Sequence, residues 1–107
     1  MPTVDLVEAL GEELRDPEFA AGYLSEALDD GGVKAFLVAL RNVVRAGGGM
    51  TEVAQRAMLG RESLYKALTE TGNPAFRTVE TVLEAVGVRL TFAPVAGRPG
   101  HSASATA

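Results

Sequence analysis

Thr51-Glu-Val-Ala-Gln-Arg-Ala-Met-Leu-Gly60-Arg-Glu-Ser-Leu-Tyr-Lys-Ala-Leu-Thr69 is the stretch whose reading decides the fold. Its spacing predicts two short helices separated by a tight turn. Thr51 is placed to cap the first helix through its hydroxyl, and Glu52 favours the positive end of the helix dipole. Val53, Ala54 and Ala57 supply a narrow apolar face, where Ala54 must be small because the two helices cross closely. After Leu59-Gly60, the residues Leu64, Ala67 and Leu68 recur at three- and four-residue spacing and predict the buried face of the second helix. Arg61, Glu62, Tyr65, Lys66 and Thr69 are left pointing outward. This layout is that of a helix-turn-helix, which presents its second helix to the major groove of DNA.

The outward residues suit that task. Arg61 and Lys66 can pair with phosphates or guanine acceptors, Tyr65 can donate to a phosphate or pack on a thymine methyl, and Glu62 can accept from cytosine or orient Arg61. Thr51 and Gln55 on the first helix complete the two-helix part of the candidate set. A mixed-charge outer face equally fits a solvated surface helix, and these residues alone do not separate the two readings.

Outward from this core, Leu6, Val7, Leu10 and Leu14 repeat at helical spacing, and Asp16-Pro17 is a cap followed by the residue suited to a first helical turn. The next helix is expected from Pro17 to about Leu28, burying Phe19 or Ala20, Tyr23, Leu24 and Leu28, with Asp29-Asp30-Gly31-Gly32 ending it. A third is expected over about Val33 to Arg45, with Phe36, Leu37, Leu40, Val43 and Val44 inward and Lys34, Arg41 and Arg45 outward. Gly47-Gly48-Gly49 reads as a helix stop and flexible joint, since no strand precedes it and no lysine follows in the phosphate-loop arrangement. Downstream, Glu70 to Pro74 forms a turn. A helix then runs from about Phe76 to Val86, with Phe76, Val79, Val82, Leu83 and Val86 as core and Gly87 as terminator. Asn73, Arg77 and Thr78 lie near its start, where backbone N–H groups can hold a phosphate, and Asn73 and Arg77 join the candidate DNA contacts. Val88-Arg89-Leu90-Thr91-Phe92-Ala93 alternates apolar and polar residues, which predicts a short strand. It either packs on its own helices or pairs with the same strand of a second copy, and the second arrangement is the favoured expectation.

The 107 residues, 47% of them hydrophobic, are enough for one modest core. A single helical domain over 1–96 is therefore expected, with acidic helices at about 5–30, the reader core at about 33–93, and a disordered, Gly-, Ser- and Ala-rich tail over 97–107. No cysteine and a single histidine, His101, leave no thiolate site, disulfide framework, histidine metal cluster or catalytic triad. Neither a metal nor any other cofactor is expected. No apolar run approaches the roughly 20 residues that span a bilayer, and Met1-Pro2-Thr3-Val4-Asp5 lacks the basic start of a signal peptide. The expectation is a cytoplasmic protein with no membrane partner.

A net charge of −4 hides a division along the chain. Residues 1–40 hold nine acids against Arg15 and Lys34, whereas residues 41–89 hold seven bases against five acids. The reader half is mildly basic. The acidic half can attract a basic partner, or can simply keep a small helical protein soluble.

The run Gly60-Arg61-Glu62-Ser63-Leu64-Tyr65-Lys66-Ala67-Leu68, followed by Gly72-Asn73-Pro74-Ala75-Phe76 and by Val79, Val82, Leu83, Val86, Gly87 and Val88, resembles the addiction-module antidote family. Tyr23-Leu24-Ser25-Glu26-Ala27-Leu28 and Ala35-Phe36-Leu37-Val38-Ala39-Leu40 extend the similarity over roughly 19–94. The resemblance implies an all-α, five-helix lambda-repressor-like helix-turn-helix domain, here with the short C-terminal β-strand. It also implies a DNA-binding antitoxin that neutralises a basic toxin of the RelE/ParE type and represses the shared operon, with a homodimer on operator DNA. Val88–Ala93 is the expected contact between the copies. Family members carry Gly-Leu-Ser or Gly-Ile-Ser at the turn, where this chain has Met58-Leu59-Gly60. Position 58 is expected to need positive φ, which costs a non-glycine residue on the order of 1 kcal/mol. Gly60 in place of a serine cap costs a few tenths of a kcal/mol. The alternative is a protein-interaction module or regulator of the same fold with no toxin partner. An enzyme is not expected, because paired acids such as Glu12-Glu13 and Asp29-Asp30 lack a nucleophile, histidine or metal beside them.

Overall fold

The computed structural model describes residues 6–69 and 71–95. The expected disordered tail at 97–107 lies outside them. Five helices follow in order: α1 (Leu6–Arg15), α2 (Pro17–Ala46), α3 (Gly49–Ala57), α4 (Arg61–Ala67) and α5 (Phe76–Ala85). No helix is long and apolar enough to cross a membrane among the described residues.

The 30-residue α2 is two arms rather than a rod. Gly32, at φ 75° and ψ −162°, is its one non-helical residue, in a region open essentially to glycine alone. The Asn42 side-chain amide donates to the Tyr23 hydroxyl at 3.0 Å, although 19 residues of straight helix would hold these groups about 28 Å apart. The chain therefore doubles back at Gly32, and the two helices expected at 17–28 and 33–45 are these arms. Gly31 beside the bend is also fixed, since a β-carbon there would strike the Ala35 Cβ. The entry to α2 follows the expected chemistry: the Asp16 carboxylate accepts from the Glu18 backbone N–H at 3.1 Å and Pro17 opens the first turn.

The fold-back brings Ala20 and Leu24 of the first arm into one core with Leu37, Ala39, Leu40, Val43 and Val44 of the second. Leu14 from α1, Val53 and Ala54 from α3, Leu64 and Leu68 from the α4 segment, and Val82 and Leu83 from α5 complete it. Between Phe19 and Ala20 the structure chooses Ala20, which is buried, whereas Phe19 is exposed. Two expected core residues stand outside. Phe76 is 63% exposed, because as the first residue of α5 its ring lies beyond the packed stripe that begins at Val79. Leu28 is 45% exposed near the end of the first arm, at the rim of a cleft rather than in the core.

Residues 88–95 form no strand among the described residues, which corrects the expectation for Val88–Ala93. An isolated strand has no ladder to join, so the segment is an extended tail, with Val88 and Leu90 half-buried against the core. The Gly47–Gly49 connection is also more defined than a flexible joint. The Gly47 N–H donates to Val43 O and Val44 O, its carbonyl accepts from Arg56, and Gly48 and Gly49 take φ of 125° and 90°.

Candidate nucleic-acid interface

The geometry of the two-helix unit rests on how α3 ends. Met58 is left-handed, at φ 58° and ψ 42°, and is the single non-glycine residue with positive φ among those described. Its N–H donates to Gln55 O at 3.1 Å, and the Leu59 N–H donates to Ala54 O at 2.8 Å. This pair of bonds is a Schellman motif, built here without its usual glycine. The strain expected at position 58 is therefore present. Gly87 closes α5 the same way, with Gly87 N–H to Glu84 O and Val88 N–H to Leu83 O, at φ 85°.

The strain at Met58 yields a signed prediction. The side chain is 90% exposed, so Met58→Gly forfeits almost no packing. Relief of the left-handed conformation outweighs the added entropy of glycine in the unfolded chain, so thermal unfolding should show a gain of about 0.5 kcal/mol. Met58→Ala, which keeps a β-carbon, should show none.

The start of α3 differs from expectation. The helix begins at Gly49 with Gly48 as cap, so Thr51 lies one turn inside and caps nothing. The glycine-rich connection carries the cap position back three residues, to Gly48, which has no side chain with which to cap. Gly60, extended at φ −71° and ψ 142°, caps α4 without a side-chain bond, as expected.

On α4, Leu64 is fully buried, and Leu68 just past its end is 1% exposed. Ala67 is half-buried. The opposite side carries Arg61, Glu62, Tyr65 and Lys66, all exposed and together lining one shallow, open depression. Four of the five outward residues are thus brought together. Thr69 is half-buried, and its hydroxyl turns back to donate to Lys66 O at 3.1 Å, so it closes its own helix end. Gly72 follows in a turn where a β-carbon would strike the Ala67 carbonyl. Thr51 and Gln55 are exposed on α3, and Asn73 and Arg77 are exposed before and within the first turn of α5. None of these four lines the depression on α4.

Arg41, on the second arm of α2, joins the α4 face without having been anticipated there. Its guanidinium carbon lies 4.9 Å from the centroid of the Tyr65 ring, and its Nη2 donates to the Tyr65 hydroxyl at 3.3 Å. Its Nε is buried without a hydrogen-bond partner. A charge that falls on the outer side of an isolated α2 is thereby delivered to α4. The only sequence signal was a base in the more basic half of the chain, and the pairing needs the tertiary fold.

Arg56 has a different role. Its Nη1 donates to Ala85 O at 2.8 Å and its Nη2 to Gly47 O at 2.7 Å, with Glu52 at 3.3 Å. One guanidinium on α3 therefore ties the C-terminal ends of α2 and α5, where exposed carbonyls favour a cation. It holds the two-helix unit against the rest of the fold.

Residues 5–94 match the model of a family described as probable addiction module antidote protein. An uncharacterized protein of Haemophilus influenzae is 39% identical over 80 residues, covering 75% of this chain and 81% of the relative. No solved structure matches the chain significantly. The chain belongs to the family of probable addiction module antidotes, and an antidote implies a toxin as its partner in general.

Proposed function

We propose that this protein is a non-enzymatic, DNA-binding antitoxin of a type II toxin–antitoxin module in the cytoplasm. It neutralises a basic toxin of the RelE/ParE type and represses the operon encoding both. The α3–α4 pair acts as a helix-turn-helix, and two copies on a palindromic operator set their α4 helices about 34 Å apart. The observation that carries this reading is the convergence of Arg61, Tyr65 and Lys66 on one open face of α4, with Arg41 stacked on Tyr65. Arg61 and Lys66 beside Tyr65 on this face, with Arg41 held against the ring, supply cations and an aromatic suited to a phosphate backbone beside base edges.

Titration of a labelled fragment of the gene's own promoter tests it. Arg61→Ala is expected to weaken binding roughly tenfold or more, the loss of one base-edge or phosphate pair. Lys66→Ala and Arg41→Ala are expected to weaken it less and to lower the slope of log affinity against log salt by about one each. Binding that ignores all three changes, or that does not fall as salt rises, would reject the reader assignment in favour of a protein-interaction module.

A further inference from the structure

We infer that the outer face of the first α2 arm is the surface on which the toxin docks, through a cationic helix that sets an apolar side chain into a notch at Gly22. The inference rests on the antitoxin reading above and does not depend on DNA binding.

Three observations converge on this face. The first is a glycine that the fold does not explain. Gly22 lies inside the helical arm, where glycine is the least favourable residue after proline. Its φ is not positive, and a β-carbon built on it would meet no atom within 4 Å. No turn or close approach within this chain therefore requires it, and its missing side chain leaves a gap open to a neighbour.

The second is what frames the gap. Residues three and four positions away are surface neighbours on a helix, which sets Glu18 and Phe19 on one side of Gly22 and Ser25 and Glu26 on the other. With Tyr23 and Asp29 they line an open groove of about 490 Å³. Phe19 is 40% exposed there, and Tyr23, half-buried, is held in place by the hydrogen bond from Asn42. A gap framed in this way receives a side chain when a second helix packs ridge into groove. The exposed ring beside it supplies the aromatic contact in which protein interfaces are rich.

The third is charge. Glu18, Glu26, Asp29 and Asp30 all stand on this arm, and from Pro17 to Val33 the sequence holds no Lys or Arg. Glu18, Glu26 and Asp29 are exposed, and no ion pair engages them among the described residues. A helix with Lys or Arg flanking its apolar residue matches the groove in both shape and sign. A basic toxin offers that chemistry. The phosphates of nucleic acid and the identical acids of a second copy are repelled by it.

The test titrates the full chain with the purified toxin encoded beside its gene, in a calorimeter at low and at high salt. Gly22→Leu fills the notch from a position whose β-carbon meets open space, so the melting temperature should not fall while the dissociation constant rises at least tenfold. Phe19→Ala is expected to raise it by a similar factor. Glu26→Lys should raise it at least tenfold at low salt and less at high salt, whereas Glu80→Lys, the same change of net charge at an exposed position on α5, should raise it less than threefold. Equal losses from the two charge reversals, or undiminished binding by the Gly22→Leu or the Phe19→Ala variant, overturns the inference and leaves the antitoxin reading intact. A wild type that does not bind the toxin overturns both. Toxin binding that responds as expected, in a chain that ignores its own promoter, leaves this inference standing and rejects the DNA reading alone.

Discussion

Replacing Leu64 with alanine is expected to destabilise the fold by about 3 kcal/mol, within the range for buried leucines cut back to a methyl group. Leu64 is fully buried, and it is the one buried residue within the seven-residue α4. A helix this short has no stability of its own, so its formation depends on the packing of Leu64, seconded by Leu68 beyond its end. Truncation leaves a cavity in the shared core and loosens the element that carries Arg61, Tyr65 and Lys66. Thermal unfolding should move down by roughly 15 °C for a domain of this size. Ser63→Ala, exposed on the same helix, should leave the midpoint nearly unchanged and so serves as the control. A loss below about 1 kcal/mol for Leu64→Ala would mean that α4 is not anchored by its core face.

The second large effect is expected at Arg56. Removing the guanidinium strands two carbonyls, Ala85 O and Gly47 O, and releases Glu52. Hydrogen bonds from a charged donor contribute about 1.5–3 kcal/mol when buried. The Arg56 side chain is 43% exposed, so Arg56→Ala is expected to lose about 1–2 kcal/mol in total after solvent screening. Arg56→Lys should recover less than half, because a single ammonium cannot reproduce the planar fork that spans both carbonyls. The carbonyl bonds distinguish this cation from an ordinary surface ion pair. If its value lay in Glu52, high salt would erase the difference between wild type and Arg56→Ala. The difference is expected to persist in urea unfolding at high salt.

These two residues also mark where sequence reading succeeds and where it stops. Leu64 was legible because its environment is periodic: three- and four-residue spacing identifies a buried face before any neighbour is known. Asp16-Pro17 and Gly87 were legible for a similar reason, since caps and helix terminators act over one helical turn, whereas Met58 stood out only against the glycine that the resembling family carries there. Arg56 was not, because its acceptors lie 9 and 29 residues away and are backbone carbonyls that carry no residue signature. Arg41 was read as an outward charge, and only the doubling back of α2 and the placement of α4 bring it onto Tyr65. Phe76 and Leu28 were assigned inward by periodicity, which says which face of a helix is apolar but not where the opposing surface ends. Thr51 was displaced as a cap because a glycine connection let the helix begin earlier. The extended tail shows the limit most plainly: alternation at 88–93 signals a surface fit for pairing, while whether a ladder forms depends on a neighbour that one chain does not contain.

The glycine at position 32 bears on assembly as well as shape. A residue with a β-carbon there would favour a continuous helix, about 45 Å long over its 30 residues. Such a rod would carry Ala20, Tyr23 and Leu24 away from Leu37, Asn42 and Val82, uncovering a groove on every molecule and an arm that fits it. Neighbouring chains would satisfy both by trading arms, the exchange known as domain swapping. A single left-handed glycine thus keeps each N-terminal arm folded onto its own chain.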